Sequence, residues 1–267
     1  MILFSNAKIN LGLFILNKRP DGFHNLASLK FPVPLTDVLE ILPADEFSLQ
    51  ILGKEVQGKL EDNLIWKAYE LIRKEYSISP VQMILQKNIP MGAGLGGGSS
   101  NATFALKGLN DFFQLGISDE VLRQMAAKLG SDCPFFVANQ PQMATETGTV
   151  LTPFDLSLKG LFLYLIDPQI HVSTAMAYAG VVPRESNFDW EKLKSKDWNF
   201  WQKELKNDFE PSIFAQQPKI QEIKNQLYEQ GAVYASMSGS GSAVYGLFES
   251  QPQELNRKDV GHFVFEL

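Results

Sequence analysis

Eleven residues, 90–100, constrain this chain more than any other stretch. They read PMGAGLGGGSS, with five glycines, two serines and no charge. A tract so rich in glycine buries no core, but it lets backbone N–H groups approach a ligand with no Cβ in the way. Before it, VQMILQKNI alternates as a strand does, with Val81, Met83 and Leu85 on one side. After it, SNATFALKGLN sets Ala102, Ala105, Leu106 and Leu109 at helical spacing. Ser99, Ser100 and Asn101 offer N-cap chemistry at the start of that helix. Strand, glycine loop and helix N-terminus in that order put loose N–H donors at the positive end of a helix dipole, which is an anion site. The plain alternative is a flexible linker, but a linker has no reason to lie between a strand and a capped helix.

Three phosphate-binding loops are separable here. A Walker A loop carries Lys and then Ser or Thr directly after its last glycine. The nearest downstream lysine is Lys107, inside the helix. Gly92, Gly94 and Gly97 satisfy G-x-G-x-x-G, but Pro90 stands before the loop, and the next apolar segment, VLRQMAAKLG from Val121, reads as a helix. No βαβ unit forms, so the dinucleotide fingerprint fails. The protein-kinase loop fails as well, because no HRD or DFG tripeptide occurs.

Composition narrows the function class. Lys+Arg 24 against Asp+Glu 30 gives a net charge of −6, which argues against a general nucleic-acid or membrane-surface binder. It leaves room for a nucleotide, which needs only a local positive field. The single cysteine, Cys133, excludes an internal disulfide and a multi-cysteine metal site. His24, His171 and His262 show no ligand spacing. The N-terminal MILFSNAKINLGLFIL lacks a basic leader and is interrupted by Asn6, Lys8 and Asn10, so it is not read as a signal peptide. No run approaches membrane-spanning length. The expectation is a soluble, cytoplasmic protein with a small-molecule substrate.

Several further stretches admit two readings each. Residues 7–15 alternate, with Ala7, Ile9, Leu11 and Leu13 on one face and Lys8, Asn10 and Gly12 on the other. Lys8 reads either as an edge-strand charge that blocks sheet pairing or as a functional ammonium. Phe23 and His24 follow a turn at Pro20, Asp21 and Gly22 and read either as strand-start packing or as a base-stacking pair. In GSDCPFF, residues 130–136, Asp132 sits in a tight turn, where it reads as an ordinary N-cap. Cys133 beside it reads as a small hydrophobe. Thr174 opens a helix and reads as its N-cap. His171 reads as structural. Helices are expected from Asn63, over residues 119–130, over 190–206 and over 218–230. Strands are expected over 36–50 and 160–168. Residues 52–63 read as a polar hairpin or loop. Residues 140–153 are polar and turn-rich and mark a domain boundary. NDFEP, residues 207–211, reads as packing between domains. ASMSGSGSAVYGLF, residues 235–248, reads as strand, glycine turn, strand.

Taken whole, P-x-G-A-G-L-G-G-G-S-S-N-A resembles the ATP loop of the GHMP kinases. K-I-N-L-G-L around Lys8 resembles the first motif of that family, and S-G-S-G-S over residues 238–242 its third. The three stand in the family's order over nearly the whole chain. The resemblance implies an α+β, two-domain GHMP kinase fold. Residues 1–152 would be a ribosomal-protein-S5-like ATP-binding domain and 153–267 a ferredoxin-like domain. It implies ATP and Mg²⁺ as cofactors. It places Pro90, Met91, Gly92, Ala93, Gly94, Leu95, Gly96, Gly97, Gly98, Ser99 and Ser100 on ATP and makes Lys8 and Asp132 catalytic. The triple glycine with double serine, and the match of R-P-D-G-F-H to R-x-D-G-Y-H, are most similar to a branch whose substrate carries cytidine diphosphate. That branch phosphorylates the 2-hydroxyl of a methylerythritol unit on the non-mevalonate route to isoprenoids. There Phe23 and His24 would hold cytosine, and Asn10 and Thr174 the rest of the substrate. Phe23 replaces the branch's tyrosine, which puts a hydroxyl contact in doubt and leaves the ring face. The alternatives are another GHMP small-molecule kinase, acting on homoserine, mevalonate or a sugar, and a non-catalytic module that keeps the fold.

Overall fold

The computed structural model describes residues 1–267 except Glu55 and Gln57. The loop expected over residues 52–63 therefore lies partly outside the described residues; its end, Leu60–Asp62, is a 3-10 turn. The chain divides into two compact units. The first is Met1–Lys8, Leu35–Met91 and Gly96–Gln140; the second is Ile9–Pro34, Gly92–Leu95 and Pro141–Leu267. Strands β1 (Ile2–Lys18) and β2 (His24–Pro43) pair with each other and contribute residues to both.

The first unit continues with β3 (Ser48–Gly53), α1 (Leu64–Glu75), β4 (Val81–Lys87), α2 (Gly97–Phe112), α3 (Asp119–Leu129) and α4 (Phe135–Ala138). The end of β2 pairs antiparallel with β4, from Val38↔Gln86 to Pro43↔Val81, and β3 pairs parallel with β4. The alternation in β4 is obeyed: Val81, Met83 and Leu85 are buried. They pack with Leu39 and Ile41 of β2 against Ile65, Ala68 and Ile72 of α1, Ala102, Ala105, Leu106 and Leu109 of α2, and Met125 of α3. Each of the large side chains contributes about 1.5–3 kcal/mol by leaving water. Asn63 caps α1 by accepting from the Ile65 N–H, and Ser118 caps α3 through Val121.

In the second unit, β5 (Gln142–Thr145) and β6 (Val150–Pro153) form a hairpin that pairs with Ser28, Leu29 and Lys30 of β2. The sequence reading held only polar, turn-rich text there. The strands are four residues each, too short for a clear alternation, and Glu146 and Gly148 make the turn with positive φ. Next come β7 (Phe162–Asp167), α5 (Thr174–Ala179), α6 (Trp198–Glu204), α7 (Glu210–Gln216), α8 (Pro218–Glu229), β8 (Tyr234–Met237), β9 (Val244–Phe248) and β10 (Gly261–Glu266). The last four strands form an antiparallel sheet in the order β10-β7-β9-β8. Because β9 lies between β7 and β8, the helical segment from β7 to β8 makes the split crossover of a ferredoxin-like fold. Ile220, Ile223 and Leu227 of α8 pack with Tyr164, Ile166 and Val244 of the sheet and with Leu13 and Ile15 of β1. The long helix expected over 190–206 is broken. A 3-10 turn over Trp190–Ser195 ends at Lys196, which has positive φ, and the Asp197 carboxylate caps α6 through the Phe200 N–H. An Asp inside an otherwise helical pattern competes for such a cap. Helix α7 and strand β10 were not foreseen. Among the described residues no helix is long and apolar enough to cross a membrane.

Candidate active site

Helix α2 begins at Gly97, and its N-cap is Gly96, in the left-handed region at φ 68° with no side-chain cap bond. Of the expected caps, Asn101 is engaged elsewhere. Asn101 Nδ2 donates to Ser5 Oγ and to Asp37 Oδ2, both at 2.8 Å. Among the described residues Ser100 Oγ is buried with no hydrogen-bond partner, and Ser99 is half-buried. The Ser100 N–H reaches the Gly96 carbonyl at 2.9 Å. The N–H groups of Gly97, Gly98 and Ser99 therefore head the helix with no acceptor one turn back, as orphan donors at its positive end.

In the same unit, Lys8 lies across Gly96. A Cβ on Gly96 would stand 3.1 Å from Lys8 Cγ and 3.2 Å from Lys8 Cε. Glycine at this position leaves room for the lysine stem. Lys8 Nζ is 3.7 Å from Asp132 Oδ2, with side-chain exposures of 4% and 31%. The edge-charge reading of Lys8 is thereby overturned: both faces of β1 are buried over residues 7–15, and a buried ammonium needs a countercharge. Asp132 occupies the turn between α3 and α4. That turn is closed by the Cys133 N–H on the Gly130 carbonyl at 3.1 Å, and Thr103 of α2 donates to the Cys133 carbonyl at 2.8 Å. A Cβ on Gly130 would lie 3.8 Å from Ser99 Oγ. The Lys8 ammonium, the Asp132 carboxylate and an open helix N-terminus thus share a small region. Cys133 is fully buried in the core.

Residues 92–95 of the glycine loop belong to the second unit, where they lie on the glycine–serine turn between β8 and β9. Ser238 Oγ donates to the Gly94 carbonyl at 2.9 Å, and the Ala243 N–H donates to the Ala93 carbonyl at 3.1 Å. Gly94 has φ +75°, and any Cβ there would run into the Ser238 carbonyl oxygen. The Asn10 N–H donates to Ser238 Oγ at 3.3 Å, Asn10 Nδ2 to Ser28 Oγ at 2.7 Å, and Tyr245 OH to the Asn10 carbonyl at 2.7 Å. NDFEP holds this turn from beneath. Asn207 Nδ2 donates to the carbonyls of Met237 and Gly239, both at 2.8 Å, and Glu210 Oε1 accepts the Met237 N–H at 2.9 Å. His171 is exposed, and its Nδ1 lies 3.0 Å from where a Cβ on Gly92 would be.

Phe23 and His24 follow the expected turn, in which Asp21 Oδ1 accepts the Phe23 N–H at 3.0 Å. That bond, more than the neighbouring Arg19, holds the Asp21 carboxyl below its ordinary range. Phe23 is 65% exposed. His24 stacks on Tyr178, with centroids 5.1 Å apart and planes at 27°. Tyr178 stands one helical turn after Thr174 on α5 and was not singled out from sequence; the i, i+4 spacing from Thr174 was the available signal. Ser173, not Thr174, caps α5, accepting the Met176 N–H at 3.1 Å, which leaves Thr174 exposed.

The family model described as "GHMP kinases N terminal domain" matches residues 63–140, and that described as "GHMP kinases C terminal" matches residues 191–258. A 4-diphosphocytidyl-2-C-methyl-D-erythritol kinase of Bacteroides thetaiotaomicron is 51% identical over 255 residues, covering 94% of this chain and 93% of the relative. A kinase of the same name from Citrifermentans bemidjiense is 36% identical, covering 93% and 90%. Among solved structures, a 4-(cytidine 5'-diphospho)-2C-methyl-D-erythritol kinase superposes with a TM-score of 0.80 at 30% identity, covering 92% of this chain and 90% of that one. The mevalonate kinase of Methanococcus jannaschii shares the fold, with a TM-score of 0.71 at 13% identity and coverage of 99% and 97%. With both family models matched and near-full-length relatives far above chance identity, this chain belongs to the GHMP kinases.

Proposed function

We propose that the chain uses ATP to phosphorylate the 2-hydroxyl of 4-diphosphocytidyl-2-C-methyl-D-erythritol. The observation that carries the reaction type is the buried Lys8 ammonium 3.7 Å from Asp132, beside the uncapped start of α2. Phosphoryl transfer asks a protein for positioning and charge neutralisation more than for covalent chemistry. Residues 90–100 hold the triphosphate through backbone N–H groups and the dipole of α2. The bond from the γ-phosphorus to the bridging oxygen breaks, a bond to the substrate 2-oxygen forms, and ADP leaves. Asp132 takes the hydroxyl proton. Lys8 pairs with the Asp132 carboxylate and offsets charge on the moving group. Bound with ATP, Mg²⁺ supplies further neutralisation at the phosphate oxygens. The Ser99 hydroxyl suits a hard cation, and among the described residues no group of three or more His, Cys, Asp or Glu is placed to hold a metal alone.

The substrate assignment draws on the names of the near-full-length relatives and on the aromatic surface of the second unit. Phe23 and the His24–Tyr178 pair give cytosine ring faces and a hydrogen-bonding edge, and Asn10 and Thr174 serve the rest of the molecule. In sequence order we assign residues 1–152 to the ATP-binding half and 153–267 to the second half; the two family matches fall one on each side. The protein works in the cytoplasm on a small molecule, with neither nucleic acid nor membrane as partner.

The test is ATP consumption by the purified chain with Mg²⁺, comparing the cytidine diphosphate substrate with methylerythritol phosphate, homoserine and mevalonate. Turnover with the cytidine compound alone is the expected result. Turnover with another alcohol would overturn the substrate assignment and keep the catalytic pair. ATP binding without turnover on any of them would leave only a nucleotide-binding module.

A further inference from the structure

We infer that Asp37 is a positioning residue for the nucleotide loop, gripping both of its ends. The inference rests on the reading of residues 90–100 as that loop. Asp37 is fully buried. Its Oδ1 accepts the N–H groups of Asn88 at 2.6 Å and Ile89 at 2.8 Å, which lead into Pro90. Its Oδ2 accepts Asn101 Nδ2 at 2.8 Å, just past Ser100, and pairs with Lys87 Nζ. One carboxylate thus ties the residues before the loop to the residue after it. Asn88 adds a second tie, from its Nδ2 to the Thr36 carbonyl at 3.0 Å. Asn101 also reaches Ser5 Oγ on β1.

The charge beneath the loop has a matching logic. Lys87 Nζ lies 3.0 Å from where a Cβ on Gly97 would be, under the first turn of α2. Lys87 is 3% exposed. Burial pushes its pKa down, and the Asp37 carboxylate pulls against that shift. A cation at a helix N-terminus is unfavourable unless countered, and Asp37 counters it while bonding the backbone. A glycine-rich segment has much conformational freedom to lose when it closes on a ligand. Fixing both ends beforehand lowers that loss and so tightens binding. The effect falls on the nucleotide, because the ties hold this loop and touch no residue assigned to the alcohol substrate.

The experiment uses the full chain with Asp37→Asn and, separately, Asn101→Ala. Calorimetric titration with ATP and Mg²⁺ gives nucleotide affinity, and initial rates give KM for ATP and for the alcohol. Loss of a buried charge-assisted bond predicts ATP binding weaker by about tenfold or more in each variant, with KM for the alcohol unchanged. Asp37→Asn can leave Lys87 unpaired and fail to fold; Asn101→Ala keeps the ion pair and both backbone bonds, and then decides. Folded variants that bind ATP as the wild type does would overturn the inference alone. So would an equal rise in KM for both substrates, which is the mark of a general structural defect. A wild-type chain that binds no ATP would overturn the loop reading, and the inference with it.

Discussion

Lys8 and Asp132 are the residues on which the proposed chemistry stands, and their burial sets what each substitution does. Asp132 is partly exposed in a turn closed by backbone bonds, so Asp132→Asn keeps the fold. Loss of proton acceptance should lower kcat by about 10²- to 10⁴-fold. Lys8→Met keeps the stem across Gly96 and removes the charge; a loss of similar size is expected. Steady-state rates paired with thermal melts check both, and near-normal turnover in both variants would sink the mechanism. Gly94→Ala acts through the backbone. A non-glycine residue at φ +75° costs about 1–2 kcal/mol, and its Cβ would meet the Ser238 carbonyl. The expected result is weaker ATP binding by titration with a lower melting temperature. These positions were legible in the sequence because glycine, lysine and aspartate stand in local motifs. Tyr178 and Asp37 were not, because what marks them is a partner from elsewhere in the chain: His24 for one, Asn88 and Asn101 for the other.

Elements with a strong period were readable and those with a competing signal were not. The buried faces of β4 and α8 follow from spacing alone. The start of α2 did not, since Ser99, Ser100 and Asn101 look like caps while Gly96 takes that place. A side-chain cap would have occupied a donor that the proposed nucleotide site uses, so under that proposal the local propensity yields to the site. The segment over 190–206 failed for the converse reason, with Asp197 capping where the periodic pattern ran on. NDFEP looked like packing and is a hydrogen-bonding bracket. Asn207 is 2% exposed and donates to two carbonyls of the glycine–serine turn. Asn207→Ala leaves both without that donor, so a loss of about 2–3 kcal/mol is expected from denaturant unfolding. Asn207→Asp, equal in shape but without the donors, should be no better. A stability equal to wild type in both would show that the bracket is not needed.

At the scale of the molecule, a cut in sequence order and a cut by compactness differ, and the difference is testable. The second compact unit includes Ile9–Pro34, which lies at the start of the chain. Leu13, Ile15 and Leu26 from that segment sit in its core with Ile213, Ile223 and Val244. The Leu13 N–H donates to the Lys206 carbonyl at 2.8 Å, and the Leu13 carbonyl accepts from the Asp208 N–H at 2.9 Å. The Ile15 N–H donates to Asp208 Oδ2 at 2.8 Å, and Tyr245 OH donates to the Asn10 carbonyl. A fragment of residues 153–267 lacks all of these partners. Three large aliphatic side chains at about 1.5–3 kcal/mol each are comparable with the net stability of a whole domain, about 5–15 kcal/mol. The fragment alone is therefore expected to lack fixed tertiary structure, with a flat near-ultraviolet circular dichroism spectrum and no cooperative melt. Co-expression with residues 1–152 should restore both, because the missing strand segments then arrive in trans. A cooperative melt from 153–267 alone would show that the core of this unit closes without β1, and that its contacts with Asp208 and Tyr245 are dispensable to folding.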